Sequence, residues 1–156
     1  MRELKIDLND VIPLIKEKLD DGGRVNFSPR GISMLPLLVE GRDSVTLISP
    51  PERLKRFDVA LYQREGGQYV LHRVVRIGET YTFIGDNQFV LEPGIAHSQI
   101  IAVCTAFTRK GKTIDANSLS CRLYAIFWHY SRFPRRVWRA VARRVRKIFG
   151  KNKSKG

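Results

Sequence analysis

Residues 69 to 77 read Tyr-Val-Leu-His-Arg-Val-Val-Arg-Ile, and Val70, His72 and Val74 alternate with Leu71, Arg73 and Val75. Both sides of that alternation are apolar except at His72 and Arg73, the pattern of a β-strand. Taken alone, His72 reads as a partly exposed strand histidine. Outward from this run the same texture repeats at Val45 to Ile48, Val59 to Gln63, Tyr81 to Ile84 and Ile100 to Thr108. The runs are separated by Pro50-Pro51, Glu65-Gly66-Gly67, Gly78-Glu79 and Glu92-Pro93-Gly94, which is turn chemistry at hairpin-like intervals. Residues 24 to 117 are therefore expected to form a mainly β, antiparallel domain.

Two flanking segments differ. Leu4, Ile6, Leu8, Val11, Ile12, Leu14, Ile15 and Leu19 recur at mostly helical spacing until Asp20-Asp21-Gly22-Gly23, so residues 1 to 23 hold an amphipathic helix, expected to break near Pro13. After a glycine turn at Lys110-Gly111-Lys112, residues 118 to 156 form a basic tail. There Leu119, Leu123, Ile126, Phe127 and Tyr130 share one helical face. Pro134 suits the first turn of a second helix carrying Val137, Trp138, Val141, Val145, Ile148 and Phe149.

The formal charge of +13 is unevenly placed. Residues 1 to 118 carry 16 Lys+Arg against 15 Asp+Glu, and residues 119 to 156 carry 12 against none. The body is nearly neutral and the tail holds the excess, so the composition does not mark the whole chain as a nucleic-acid binder. Cys104 and Cys121 have no metal-ligand spacing and read as reduced structural thiols. The mixed-charge start MRELKIDLND is neither a secretory signal nor an anchor, and no stretch approaches the roughly 20 apolar residues that span a bilayer. A cytoplasmic location follows, peripheral at a membrane surface if the tail binds one.

The chemistry-bearing candidate is Gly31-Ile32-Ser33-Met34-Leu35-Pro36. A serine hydroxyl becomes a nucleophile when a base takes its proton and donors face the oxyanion that forms. Gly31 and Pro36 let the backbone bend around Ser33 and present its amide. A lone Ser-Met pair in a loop is more often structural than catalytic.

The ordered set SPRGISMLPLLVEGRDSV, FDVALY, YVLHRVV and FIGDN, over residues 24 to 106, resembles the successive boxes of type I signal peptidases and the related LexA-type self-cleaving repressors. The resemblance implies a LexA/signal-peptidase-like β fold in which Ser33, followed by Met34, is the nucleophile and His72 the base. Histidine followed by Arg-Val is similar to the endoplasmic-reticulum, archaeal and sporulation-type branch, where other branches use lysine. A lysine of reference pKa about 10.4 must be deprotonated at a cost of about 4 to 5 kcal/mol at neutral pH, whereas histidine near 6.5 is already mostly neutral.

By the same resemblance Asp86 in Gly85-Asp86-Asn87 is the first choice to orient His72, and Glu92 is the reserve acid. Read on its own, Asp86 is an Asx-type turn closing a strand. Asp43 and Asp58 match box aspartates and read as structural turns. The chain departs from the pattern in three ways. Arg42 is inserted between Gly41 and Asp43, Phe57 replaces a glycine before Asp58, and no run near Met1 is apolar enough to read as the transmembrane anchor of signal peptidases. Gly31 stands where signal peptidases often have a serine, so the oxyanion hole falls to backbone amides, notably that of Ser33.

The implied function is a serine endopeptidase that needs neither cofactor nor metal and binds its peptide or protein substrate as an extended strand. The alternatives are a LexA-like regulatory or DNA-associated self-cleaving protein and a catalytically silent adaptor of the same fold. For the tail, with Trp128, Trp138 and Phe149 on one side and arginines opposite, an anionic membrane surface is the favoured partner. Packing on the body, or nucleic-acid phosphates, are the other readings.

Overall fold

The chain is described from a computed structural model over residues 8 to 150, with side chains from 11 to 147. Leu4, Ile6, Ile148, Phe149 and the terminal KNKSKG lie outside those limits. The β-rich texture becomes eight strands, β1 Val25–Phe27, β2 Ser44–Ile48, β3 Val59–Gln63, β4 Tyr69–Ile77, β5 Tyr81–Ile84, β6 Glu92–Ile95, β7 Ile100–Arg109 and β8 Lys112–Asp115. Every pairing between them is antiparallel. The spatial order is β1-β2-β7-β3-β4-β5-β6, with β8 beside the second half of β7. Helix α1 (Leu8–Asp20) precedes the sheet, and α2 (Leu119–Tyr130) and α3 (Arg132–Gly150) follow it.

Strand alternation splits the apolar residues between two cores. On β3, Val59 and Leu61 enter a cluster with Ile12, Ile15 and Leu19 of α1 and with Met34, Leu37 and Leu38, while Ala60 and Tyr62 enter a second cluster with Val74, Phe83 and Ile95. Successive side chains of a strand point to opposite faces, so β3 is buried on both.

Local chemistry fixes the connections. Lys110 and Gly111 both take positive φ, 49° and 77°, between paired Arg109 and Lys112, the backbone of a two-residue type I′ hairpin. Ser118 caps α2 by accepting from the Cys121 amide at 3.3 Å. Three expectations change. Helix α1 runs through Pro13 without a break. Glu92-Pro93-Gly94, expected as a turn, is the start of edge strand β6, where proline's missing N–H faces away from the ladder. Trp128 and Trp138 do not act together: Trp128 packs on the body and Trp138 faces outward.

The two loop departures are accommodated. Arg42 forks onto Asp43 with bonds of 2.8 and 2.7 Å, and Asp43 also accepts from the amides of Val39 and Lys110, holding its carboxyl well below the usual range. Phe57 takes φ 76°, the left-handed region that favours glycine. Its carbonyl is held by Arg73 Nη1 at 2.9 Å and its amide donates to Val74 at 2.8 Å. Asp58 accepts from the Lys55 amide at 2.7 Å, closing the same turn. Cys104 and Cys121 are free, and burial pushes the Cys104 thiol up to about 12.

Candidate active site

Ser33 sits in a tight loop whose neighbours are anchored on three sides. Met34 is 4% exposed and belongs to the first core, and its carbonyl accepts from Leu38 at 3.0 Å. Gly31 has φ 86°, and its amide donates to the Glu40 carboxylate at 2.8 Å. The Leu35–Pro36 bond is cis, and the Pro36 carbonyl accepts from Arg109. From the far side Asn87 grips the loop twice: its amide donates to the Ser33 carbonyl at 2.8 Å and its side chain to the Ile32 carbonyl at 3.0 Å. Gly85 permits that approach, because a Cβ there would stand 2.7 Å from the Ser33 carbonyl oxygen. Among the described residues the Ser33 amide has no intramolecular acceptor.

Ser33 and His72 line one cavity of about 460 Å³, together with Met34, Gly31, Arg64, Leu61, Tyr69 and Gln88. His72 is 1% exposed, not the partly exposed strand residue that its own sequence suggests. Its Nδ1 lies 3.1 Å from Glu92 Oε1 and 3.3 Å from the Tyr62 hydroxyl, which itself donates to Glu92 Oε2 at 2.8 Å. Arg64 closes the group by forking onto Glu92 at 2.8 and 2.5 Å. Burial lowers the His72 pKa to about 4; the Glu92 charge pulls the other way and the Arg64 charge offsets it. Burial alone would raise Glu92, but hydrogen bonds from Arg64 and Tyr62 outweigh it, and its carboxyl lies below the ordinary value. Burial and the Glu92 carboxylate raise the Tyr62 phenol, so it stays a donor.

Asp86, the acid first expected beside His72, is placed elsewhere. It is 1% exposed and receives Arg73 Nε and Nη2 at 2.8 and 2.9 Å, with the Tyr124 hydroxyl at 3.2 Å. Its carbonyl accepts the Trp128 indole at 2.7 Å. The reserve acid Glu92 occupies the position beside the imidazole. Sequence reading missed Tyr62 and Arg64; the only available signal was that Tyr62 lies on the strand that precedes the His72 strand and Arg64 directly follows that strand.

No cluster of three or more His, Cys, Asp or Glu with metal-binding arrangement occurs among the described residues, and none of their helices is long and apolar enough to cross a membrane. No family model, curated protein or solved structure matches the chain.

Proposed function

We propose that the chain is a serine endopeptidase with a LexA/signal-peptidase-like β fold, Ser33 its nucleophile and His72 its base. The observation that carries this reading is the shared cavity: the loop serine and a buried, neutral histidine line it together, and a carboxylate stands behind the histidine. A proton on Nδ1, held toward Glu92, leaves Nε2 free to accept the Ser33 hydroxyl proton. The Ser33 Oγ bonds to the peptide carbonyl carbon, and the oxyanion takes the unpaired Ser33 amide as donor. His72 then protonates the leaving amine as the C–N bond breaks. Water, deprotonated by the same imidazole, releases the acyl group and restores Ser33.

Glu92 stabilises the imidazolium that forms in each half-reaction. Arg64 keeps Glu92 ionised. The open side of β4 supports an extended substrate: its partners on the β5 side begin only at Arg73, so Tyr69 to His72 offer a backbone edge beside the cavity, with Phe27 of edge strand β1 lining it as well. A peptide added there would pair along β4 and bring one carbonyl to Ser33.

The test is acylation and cleavage together. A fluorophosphonate probe followed by peptide mass spectrometry should place the adduct on Ser33. A peptide library should be cut by the native chain and by neither Ser33→Ala nor His72→Ala, both still folded by circular dichroism. Cleavage undiminished in either variant overturns the assignment.

A further inference from the structure

An amphipathic helix on a globular body ordinarily turns its apolar side inward. The C-terminal helices leave most of their large apolar side chains outward. Helix α2 meets the body through the small Cys121 and Ala125 and through polar groups: Tyr124 and Trp128 donate to Asp86. The face continues into α3, where Arg135 stacks 3.6 Å over the Trp128 ring and Arg139 donates to the Asn87 side-chain oxygen at 2.8 Å. The junction keeps helical register, since Ser131 donates to the Phe127 carbonyl at 2.9 Å and Arg135 to the Ser131 carbonyl at 3.1 Å.

In that register Leu119, Leu123, Phe127, Tyr130, Val137 and Val141 fall on one side, all exposed. Phe133 and Trp138 join them at 75% and 73% exposure. The stripe lies within an arc of about 140° and runs for roughly 33 Å at 1.5 Å per residue. A continuous exposed apolar surface of that length marks an interaction site.

We propose that this stripe is the seat of an anionic lipid bilayer surface, with α2 and α3 lying in its plane. Charge decides the occupant. Residues 119 to 156 contain 12 Lys+Arg and no acid, and Arg136, Arg143, Arg144 and Lys147 are exposed beside the stripe. A second copy covering it would bring two such uncompensated sets together. Nucleic-acid phosphates would pair the arginines and leave the aromatic and branched side chains in water. A bilayer surface takes both, the apolar side chains below the headgroups and the cations at anionic lipids. No helix among the described residues is built to cross the membrane, so the association is peripheral. It stands independently of the Ser33 chemistry.

The full chain is mixed with phosphatidylcholine vesicles, pure or containing phosphatidylglycerol, and sedimented at low and high salt. The expected result is retention on the phosphatidylglycerol vesicles at low salt, weakened by salt, with a blue shift of tryptophan emission that is lost in Trp138→Phe. Phe133→Asp with Val141→Asp should lower partitioning at least tenfold with an unchanged thermal transition. Arg143→Ala and Lys147→Ala should each lower it about fivefold. Ser33→Ala should bind as the native chain does, separating this proposal from the peptidase reading. Equal retention on both vesicle types, retention indifferent to the aspartate pair, or a doubled mass in light scattering that the same pair abolishes would each overturn the proposal.

Discussion

The chain builds two groups, each of an arginine, a carboxylate and a tyrosine, and puts them to different uses. Around Asp86 the group is Arg73 and Tyr124, with both charged side chains almost wholly buried. Around Glu92 it is Arg64 and Tyr62, with both charged side chains partly exposed and Arg64 lining the cavity. The first ties the tail helices to the sheet and sets the turn that holds the Ser33 loop. The second leaves its carboxylate one face free for His72. A carboxylate's role here is set by what it meets beyond its arginine, the Tyr124 hydroxyl of a tail helix in one case and an imidazole in the other.

If that contrast is right, variants in the two groups must separate activity from stability. His72→Ala is expected to have the largest effect, lowering the rate of Ser33 acylation by at least about 10⁴-fold while the thermal transition persists. Glu92→Gln comes next, at about 10³-fold, because a carboxamide can donate to Nδ1 and hold the imidazole in the wrong tautomer. Its stability cost should stay within about 1 kcal/mol, since the Arg64 pair is partly solvated.

Asp86→Ala reverses the pattern. It strands the Arg73 guanidinium in the interior, with an expected cost of about 3 to 5 kcal/mol, or roughly 10 °C in the thermal midpoint. Adding Arg73→Met to Asp86→Leu should recover much of that loss, because removing both charges leaves none unpaired. Should Asp86→Ala leave the midpoint unmoved while Glu92→Gln unfolds the chain, the two roles have been assigned the wrong way round.

Acid sharpens the same comparison. Burial lowers His72 to about 4, so acylation should keep its full rate down through pH 6 and fall only near pH 4. An ordinary histidine base would fail near 6.5. The stability sign follows from linkage. The unfolded chain takes up the His72 proton at about 6.5 and the folded chain only near 4, so this histidine costs stability progressively as pH falls across that window and nothing above it. Urea unfolding at pH 7 and pH 5 should show a larger acid loss in the native chain than in His72→Gln. An equal loss in both would mean that the imidazole is not buried in its neutral form.

How far the sequence foretold this arrangement depended on the range of the information. Five strands and the Lys110-Gly111 turn were legible because alternation and turn chemistry act within a few residues. Strand β6 was not, since Glu92-Pro93-Gly94 carries local turn signals and pairs only through β5, at Phe83. The exchange of Asp86 for Glu92 has a simple cause. Neighbours on a strand point to opposite faces, so an acid that pairs with Arg73 is turned away from His72. Which acid meets which side depends on register across β4, β5 and β6, which local pattern does not carry. The tail shows the same limit: a helical projection separates its apolar and basic sides, but only the remote Asp86 and Asn87 decide which side faces the body.

The smallest predicted effect joins the two groups. Arg139 of α3 holds the Asn87 side-chain oxygen, and Asn87 in turn holds the Ile32 and Ser33 carbonyls. Arg139→Ala removes one exposed charge-assisted bond, so the stability change should stay below about 1 kcal/mol. The freed Asn87 amide can still reach Ile32, but it loses the partner that fixes its rotation. Acylation of Ser33 should therefore slow a few-fold, with the pH profile unshifted because His72 and Glu92 are untouched. Asn87→Ala, which removes both side-chain bonds, should slow it further, and Arg139→Ala added to Asn87→Ala should then change nothing. Additive losses in the double variant would show that Arg139 acts on the loop by another route than Asn87.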